Sequence, residues 1–209
     1  MRLVFAHGWA MGPAVWEDLI ANLPADFSVE CLDFGYLDSP PTTSFKGDIA
    51  VGHSLGILWL LSQNHPWKAT ISLNGFTQFA KSSECHHGVS PRILDKMLTL
   101  METDPMRCVQ DFYKRYDIPG KVPEILHSKR LIEGLRLLKE GHVSRPSIPL
   151  LALVSGSDPL VSRELSESCF ERIITSQVCG HVLPKSDPLW CVDQMVRFLR
   201  GLNELHSQS

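Results

Sequence analysis

The sequence predicts an α/β fold with a mainly parallel sheet of about six strands. Three observations carry the prediction. Short, continuous apolar runs bounded by turn residues recur along the chain, the pattern of strands buried on both faces. Helical stretches with apolar residues at three- and four-residue spacing separate most of them. One apolar run passes through Gly52-His53-Ser54-Leu55-Gly56 straight into an apolar helical stretch, a strand-turn-helix transition. The 209 residues suit one domain. A chain of that length buries about 70% of its unfolded surface and needs no disulfide or metal staple.

Strands are expected at 3–6, 27–32, 48–51, 69–73, 150–154 and 176–179, with core helices at 15–22, 55–64, 162–172 and 189–202. The opening Met1-Arg2-Leu3-Val4-Phe5-Ala6-His7-Gly8 has one charge and an apolar run too short for a signal peptide, so it reads as the first strand. Between 78 and 145 the alternation stops. Amphipathic stretches at 92–101, 105–116 and 128–140 follow one another without a strand. Ile93, Leu94, Met97, Leu98 and Met101, and later Leu131, Ile132, Leu135 and Leu138, stand at helical spacing. The expected organisation is a core of 1–77 and 146–209 with a helical lid of 78–145 on the sheet. The polar tail 204–209 is expected to fray.

Composition excludes some functions. Lys+Arg 20 against Asp+Glu 23 gives a net charge of −3, which leaves no strongly basic field for nucleic acid. No apolar run approaches the ~20 residues that span a bilayer, so no membrane partner is expected. The six cysteines, at 31, 85, 108, 169, 179 and 191, form no Cys-x-x-Cys pair. Reduced thiols and a cytoplasmic location are expected. Cys85-His86-His87 has no second cluster to complete a zinc site, so neither metal nor cofactor is expected.

The strongest chemical signal is Gly52-His53-Ser54-Leu55-Gly56, a G-x-S-x-G between strand and helix. A nucleophile on so sharp a turn needs small neighbours, which Gly52 and Gly56 supply. The N–H groups opening the following helix favour a developing anion. A serine needs a base, and the base an acid to orient it. Asp158, in Ser155-Gly156-Ser157-Asp158-Pro159-Leu160-Val161, follows the fifth strand, and His181, in Cys179-Gly180-His181, follows the sixth. Both then lie at the carboxyl edge of the sheet, where such folds place functional groups. The chain order Ser54, Asp158, His181 fits a catalytic triad. Leu55 N–H and Trp9 N–H, from His7-Gly8-Trp9 after the first strand, are the expected oxyanion donors. His7 reads as a structural loop residue rather than a second base. Trp9, Met11, Phe76, Phe79, Met97, Leu98, Met101 and Phe112 either line an acyl pocket or form ordinary core. Trp9 and Phe76, each after a strand, are the better substrate-binding candidates.

At these residues the chain resembles the α/β-hydrolases nearly end to end: His7-Gly8-Trp9, Val15-Trp16, Gly52-His53-Ser54-Leu55-Gly56, Ser157-Asp158-Pro159-Leu160-Val161 and Gly180-His181 stand where that superfamily has them. Within it the chain is similar to the pimeloyl-(acyl-carrier protein) methyl ester esterases of biotin synthesis. The likeness lies in His7-Gly8-Trp9-Ala10-Met11-Gly12 with Trp16, and in Glu133-Gly134-Leu135-Arg136-Leu137-Leu138-Lys139. The resemblance implies Ser54, Asp158 and His181 as the triad, a helical lid over the serine, and basic lid residues that dock an acidic acyl carrier protein. The fold it implies is a trimmed one. The antiparallel strands that usually come first are missing, and the sixteen residues between Gly35 and Gly52, with Pro40-Pro41, hardly hold a helix and its connections.

The segment 114–145 holds eight Lys/Arg against four Asp/Glu, a local positive excess that suits an acidic carrier protein. Arg130, Arg136 and Lys139 are the candidate docking residues; a solvated helical surface is the alternative reading. The expected function is a serine carboxylesterase that frees pimeloyl-carrier protein from its methyl ester. The alternatives are a generalist carboxylesterase or thioesterase on small esters or acyl-CoA, and a hydrolase-like module that binds without turnover. A monomer is expected.

Overall fold

The computed structural model describes residues 1–206, with 203–206 described in backbone only. Six parallel strands form one sheet in the order β2-β1-β3-β4-β5-β6. They are β1 (Arg2–Ala6), β2 (Ser28–Leu32), β3 (Ile49–His53), β4 (Ala69–Leu73), β5 (Leu150–Val154) and β6 (Ile174–Thr175). Every residue of the central β3 and β4 is buried, the small polar Thr70 and Ser72 of β4 included, as a strand covered on both faces requires.

Alternate residues of the strands feed two cores. Leu3, Phe5, Ile49 and Val51 point to one face, where they meet Trp16, Leu19, Met195 and Leu199. These come from α1 (Glu17–Ala21), the 3₁₀ turn Pro13–Trp16 before it, and α8 (Pro188–His206). Phe5 and Trp16 pack edge to face at 4.9 Å. Val4, Ala6 and Ala50 point to the other face, against Leu60 and Trp67. That face carries α2 (Leu55–Ser62). A side chain at Gly56 would lie 2.0 Å from the Ala6 carbonyl, and one at Gly52 would lie 2.3 Å from the Ile57 backbone. The two glycines therefore let α2 sit directly on β1 and β3.

Three helices, α3 (Pro91–Thr103), α4 (Pro105–Arg115) and α5 (Ser128–Glu140), intervene between β4 and β5. Asp104 caps α4 by accepting from the Arg107 N–H at 3.0 Å, with Pro105 at the first helical position. The base of this excursion is closed by an isolated antiparallel bridge, Gln78 to His142. Two shorter helices, α6 (Arg163–Cys169) and α7 (Leu183–Ser186), lie in the last third of the chain.

Two expectations shift. The sixth strand ends at Thr175, short of 176–179. The Ser176 hydroxyl accepts from Val178 N–H at 3.1 Å and donates to Asp187 at 2.5 Å, which bends the chain out of regular register; pairing with the chain after β5 resumes at the parallel bridge between Ser157 and Cys179. The last helix runs on to His206, into the stretch expected to fray; residues 207–209 lie outside those described. No helix among the described residues is long and apolar enough to cross a membrane.

Candidate active site

Ser54 sits at φ 54°, ψ −125°, between the last residue of β3 and the first of α2. An L-residue holds that conformation only when its surroundings impose it. Here the closely packed glycines on either side impose it. The Ser54 hydroxyl lies 3.0 Å from His181 Nε2, and His181 Nδ1 lies 2.8 Å from Asp158 Oδ2. The other carboxylate oxygen, Oδ1, accepts the Leu160 N–H at 2.7 Å and the Val161 N–H at 3.0 Å. All three side chains are buried. The structure thus brings together three residues separated by up to 127 positions, each at the carboxyl end of a strand. With Oδ2 accepting from Nδ1–H, the imidazole presents an unprotonated Nε2 to the serine, the tautomer a general base requires.

The His7-Gly8-Trp9 turn lies against the serine. A Cβ on Gly8 would stand 3.2 Å from the Ser54 Cβ and 3.0 Å from His53 Nδ1. Among the described residues neither the Trp9 nor the Leu55 backbone N–H has an acceptor. His7 holds the turn: Nδ1 bonds Gly8 O at 2.9 Å and Nε2 accepts the Phe34 N–H at 3.2 Å, so both ring nitrogens are committed to backbone.

The three helices between β4 and β5 cover the serine and are tied to this turn. Trp9 Nε1 donates to Leu131 O and Tyr113 Oη to Ala10 O, each at 2.8 Å, and the Trp9 ring meets Phe112 edge to face at 4.9 Å. Beneath them lies a narrow apolar slot of about 20 Å³, reached by Ser54, Trp9, Phe79, Met97, Phe112 and Tyr116. That is room for about one water. A wider groove of about 310 Å³ runs between α3 and α4 and shares Met97, Phe112 and Tyr116 with the slot. Burial, and then the nearby Asp158 carboxylate, push the Tyr116 phenol up from its ordinary value, partly offset by Arg115.

The remaining candidates fall as follows. Trp9 lines the slot. Phe76 is fully buried against Phe79, with ring centroids 4.7 Å apart, and Phe79 rather than Phe76 reaches the slot. Arg130, Arg136 and Lys139 lie on α5, but Arg130 and Lys139 project from opposite sides of the helix. Lys139 is 2.7 Å from Asp95 on α3, Arg130 packs against the 33–42 loop, and Arg136 is exposed. Sequence reasoning missed Asn74. It is a buried amide directly after a fully buried strand at the functional edge of the sheet, and its position there was the available signal.

No protein-family model matches this chain, and no curated protein does. Solved structures do match. An esterase from Exiguobacterium antarcticum superposes with a TM-score of 0.78 at 13% identity, over 96% of this chain and 92% of that one. A hydrolase from Oleispira antarctica gives 0.77 at 14% identity, over 95% and 90%. The enol-lactonase from Burkholderia xenovorans gives 0.73 at 13% identity, over 95% and 91%. Six parallel strands, a serine on a strained strand-to-helix turn and a helical cover give this chain the α/β-hydrolase fold.

Proposed function

We propose that this protein is a serine hydrolase of carboxylic esters. The observation that carries the reading is the unbroken relay from Ser54 Oγ through His181 to Asp158, at 3.0 and 2.8 Å, on a strained turn. Ser54 Oγ attacks the ester carbonyl while His181 Nε2 takes its proton. The negative oxygen that forms is met by the Trp9 and Leu55 N–H groups. Asp158 holds the imidazole in register and stabilises the imidazolium. His181 then gives the proton to the departing alkoxide, leaving an acyl-serine. Water, deprotonated by His181, attacks that acyl group and releases the acid.

The finer reading is the methyl ester of pimeloyl-carrier protein. It is supported by the likeness at 7–12, Trp16 and 133–139, and by the basic excess of 114–145. The dispersal of Arg130, Arg136 and Lys139 around α5 weakens the carrier-docking part. The apolar lining of the slot beside Ser54 supports a second reading, a generalist that cleaves small acyl esters or thioesters.

A serine-reactive phosphonate should label Ser54 alone, and wild-type protein should turn over a chromogenic short-chain ester. Labelling without turnover would leave a ligand-binding module instead. Growth without biotin in an auxotroph lacking its own methyl ester esterase separates the finer reading from the generalist.

A further inference from the structure

Outside the relay, two backbone carbonyls next to the imidazole collect four hydrogen bonds. His181 O accepts from His53 Nε2 at 3.0 Å and from Asn74 Nδ2 at 2.7 Å. Gly180 O accepts from Ser155 Oγ at 2.6 Å and from Asn74 Nδ2 at 3.2 Å. Asn74 is anchored at its other end, where Oδ1 accepts the Ser155 N–H at 2.8 Å. The ends of β3, β4 and β5 thus grip one short loop. Gly180 itself stands at φ 112° and donates its N–H to Ser157 O at 2.7 Å, so the loop is held from the backbone side as well.

We propose that Asn74 is a positioning residue for His181, fixing through the Gly180 and His181 carbonyls the distance between Nε2 and Ser54. The proposal rests on the reading of Ser54 and His181 as nucleophile and base. An αL turn alone does not explain the residue. Asn74 has φ 46°, a conformation glycine adopts at less cost, yet its amide is 1% exposed and bonded at both ends. His53 serves the same loop. To donate to a carbonyl its Nε2 must carry the proton, and its Nδ1 has no partner among the described residues, so the ring is held neutral beside His181 with centroids 4.9 Å apart. Burial, and then His181 itself, hold its basicity well below the ordinary histidine range.

Two variants test the assignment. Asn74→Gly keeps the backbone conformation and removes the grip. Asn74→Asp keeps the acceptor for Ser155 and replaces the donor with a charge. With a chromogenic ester, Asn74→Gly should lose about 100-fold in kcat with KM unchanged, the cost of a base displaced by about an ångström. In Asn74→Asp the new carboxylate favours the imidazolium, so the acid limb of the rate profile should move to higher pH, and in Asn74→Gly it should not. A purely structural residue would lower Tm without either kinetic change, and that result would overturn the proposal. A third readout is independent of turnover. The low-field proton resonance of His181 Nδ1–H, bonded to Asp158, should persist in Ser54→Ala and broaden by solvent exchange in Asn74→Gly. If wild type shows the resonance but no ester turnover, the hydrolase reading fails while the grip stands. If Asn74→Gly keeps a sharp resonance, the grip fails.

Discussion

Ser54→Ala and Ser54→Gly both remove the hydroxyl and its 3.0 Å bond to His181, and they differ only by a Cβ. That single carbon isolates the strain of the turn. A non-glycine residue at φ 54°, ψ −125° costs of order 1–3 kcal/mol, which glycine does not pay. Glycine loses about 0.5–1 kcal/mol of extra conformational entropy on folding. The balance leaves Ser54→Gly the more stable of the pair by roughly 1 kcal/mol. For a chain of this length that is about 2–4 °C in Tm. Urea and thermal unfolding of the two proteins, side by side, give the number. An alanine variant that melts at or above the glycine variant would show that the turn stores no strain. Both variants should lose ester turnover by ~10⁴-fold.

Asp158→Asn should keep the fold and lose ~10⁴-fold in kcat, because the amide leaves the imidazole in the wrong tautomer; circular dichroism and ester kinetics check this. His53 is buried and neutral with its basicity depressed, so the unfolded chain takes up a proton that the folded chain refuses. The stability it contributes is full above about pH 6.5 and is lost as pH falls below that value. Urea midpoints measured across this range should flatten in His53→Phe, whatever that variant's absolute stability. Cys179 is exposed, while burial pushes Cys31 and Cys108 up to about 11, and Cys85 and Cys191 upward too. A disulfide reagent near neutral pH should therefore titrate Cys179 rapidly and these four only after denaturation. Reversing Arg130, Arg136 and Lys139 to Glu should raise KM for a carrier-bound ester at low salt and leave a small free ester unchanged. No effect on either would remove the carrier-docking reading.

Legibility followed the range of the interactions. Strands β4 and β5 match their apolar runs residue for residue, because burial on both faces leaves nothing to compete with that signal. Ser54, Asp158 and His181 were legible because each lies in the connection beyond the carboxyl end of a strand, and those ends of a parallel sheet share an edge. The bend at Ser176, which interrupts the sixth strand, was not, since it depends on a hydroxyl reaching Asp187, eleven residues on. Tyr116 as a slot residue, and Phe79 rather than Phe76 reaching the slot, were equally hidden. Their part is set by how α3 and α4 settle on the sheet, and an amphipathic stripe specifies a buried face without naming its partner.

The short crossover between β2 and β3 bears on substrate rather than on chemistry. No helix forms between Asp33 and Asp48, and an aromatic group patches the sheet face where one would pack. Phe45 stacks on Trp67 at 5.6 Å, and Phe34 meets Trp59 at 5.2 Å. The relay is untouched, because its residues come from β3 and from the chain after β5 and β6, on the far side of β1. The helices above the serine are not. The crossover carries Tyr36, whose carbonyl accepts the His127 N–H at 2.9 Å at the start of α5, and Gly35, against which Arg130 packs. Helix α5 in turn gives the Leu131 carbonyl to Trp9 and supports α3, which lines the slot. The short connection therefore sets where α5 lies, and through it the width of the slot, while touching none of Ser54, His181 and Asp158. Lengthening the 38–44 loop should accordingly change the acyl-chain preference in kcat/KM without moving the pH dependence of the reaction.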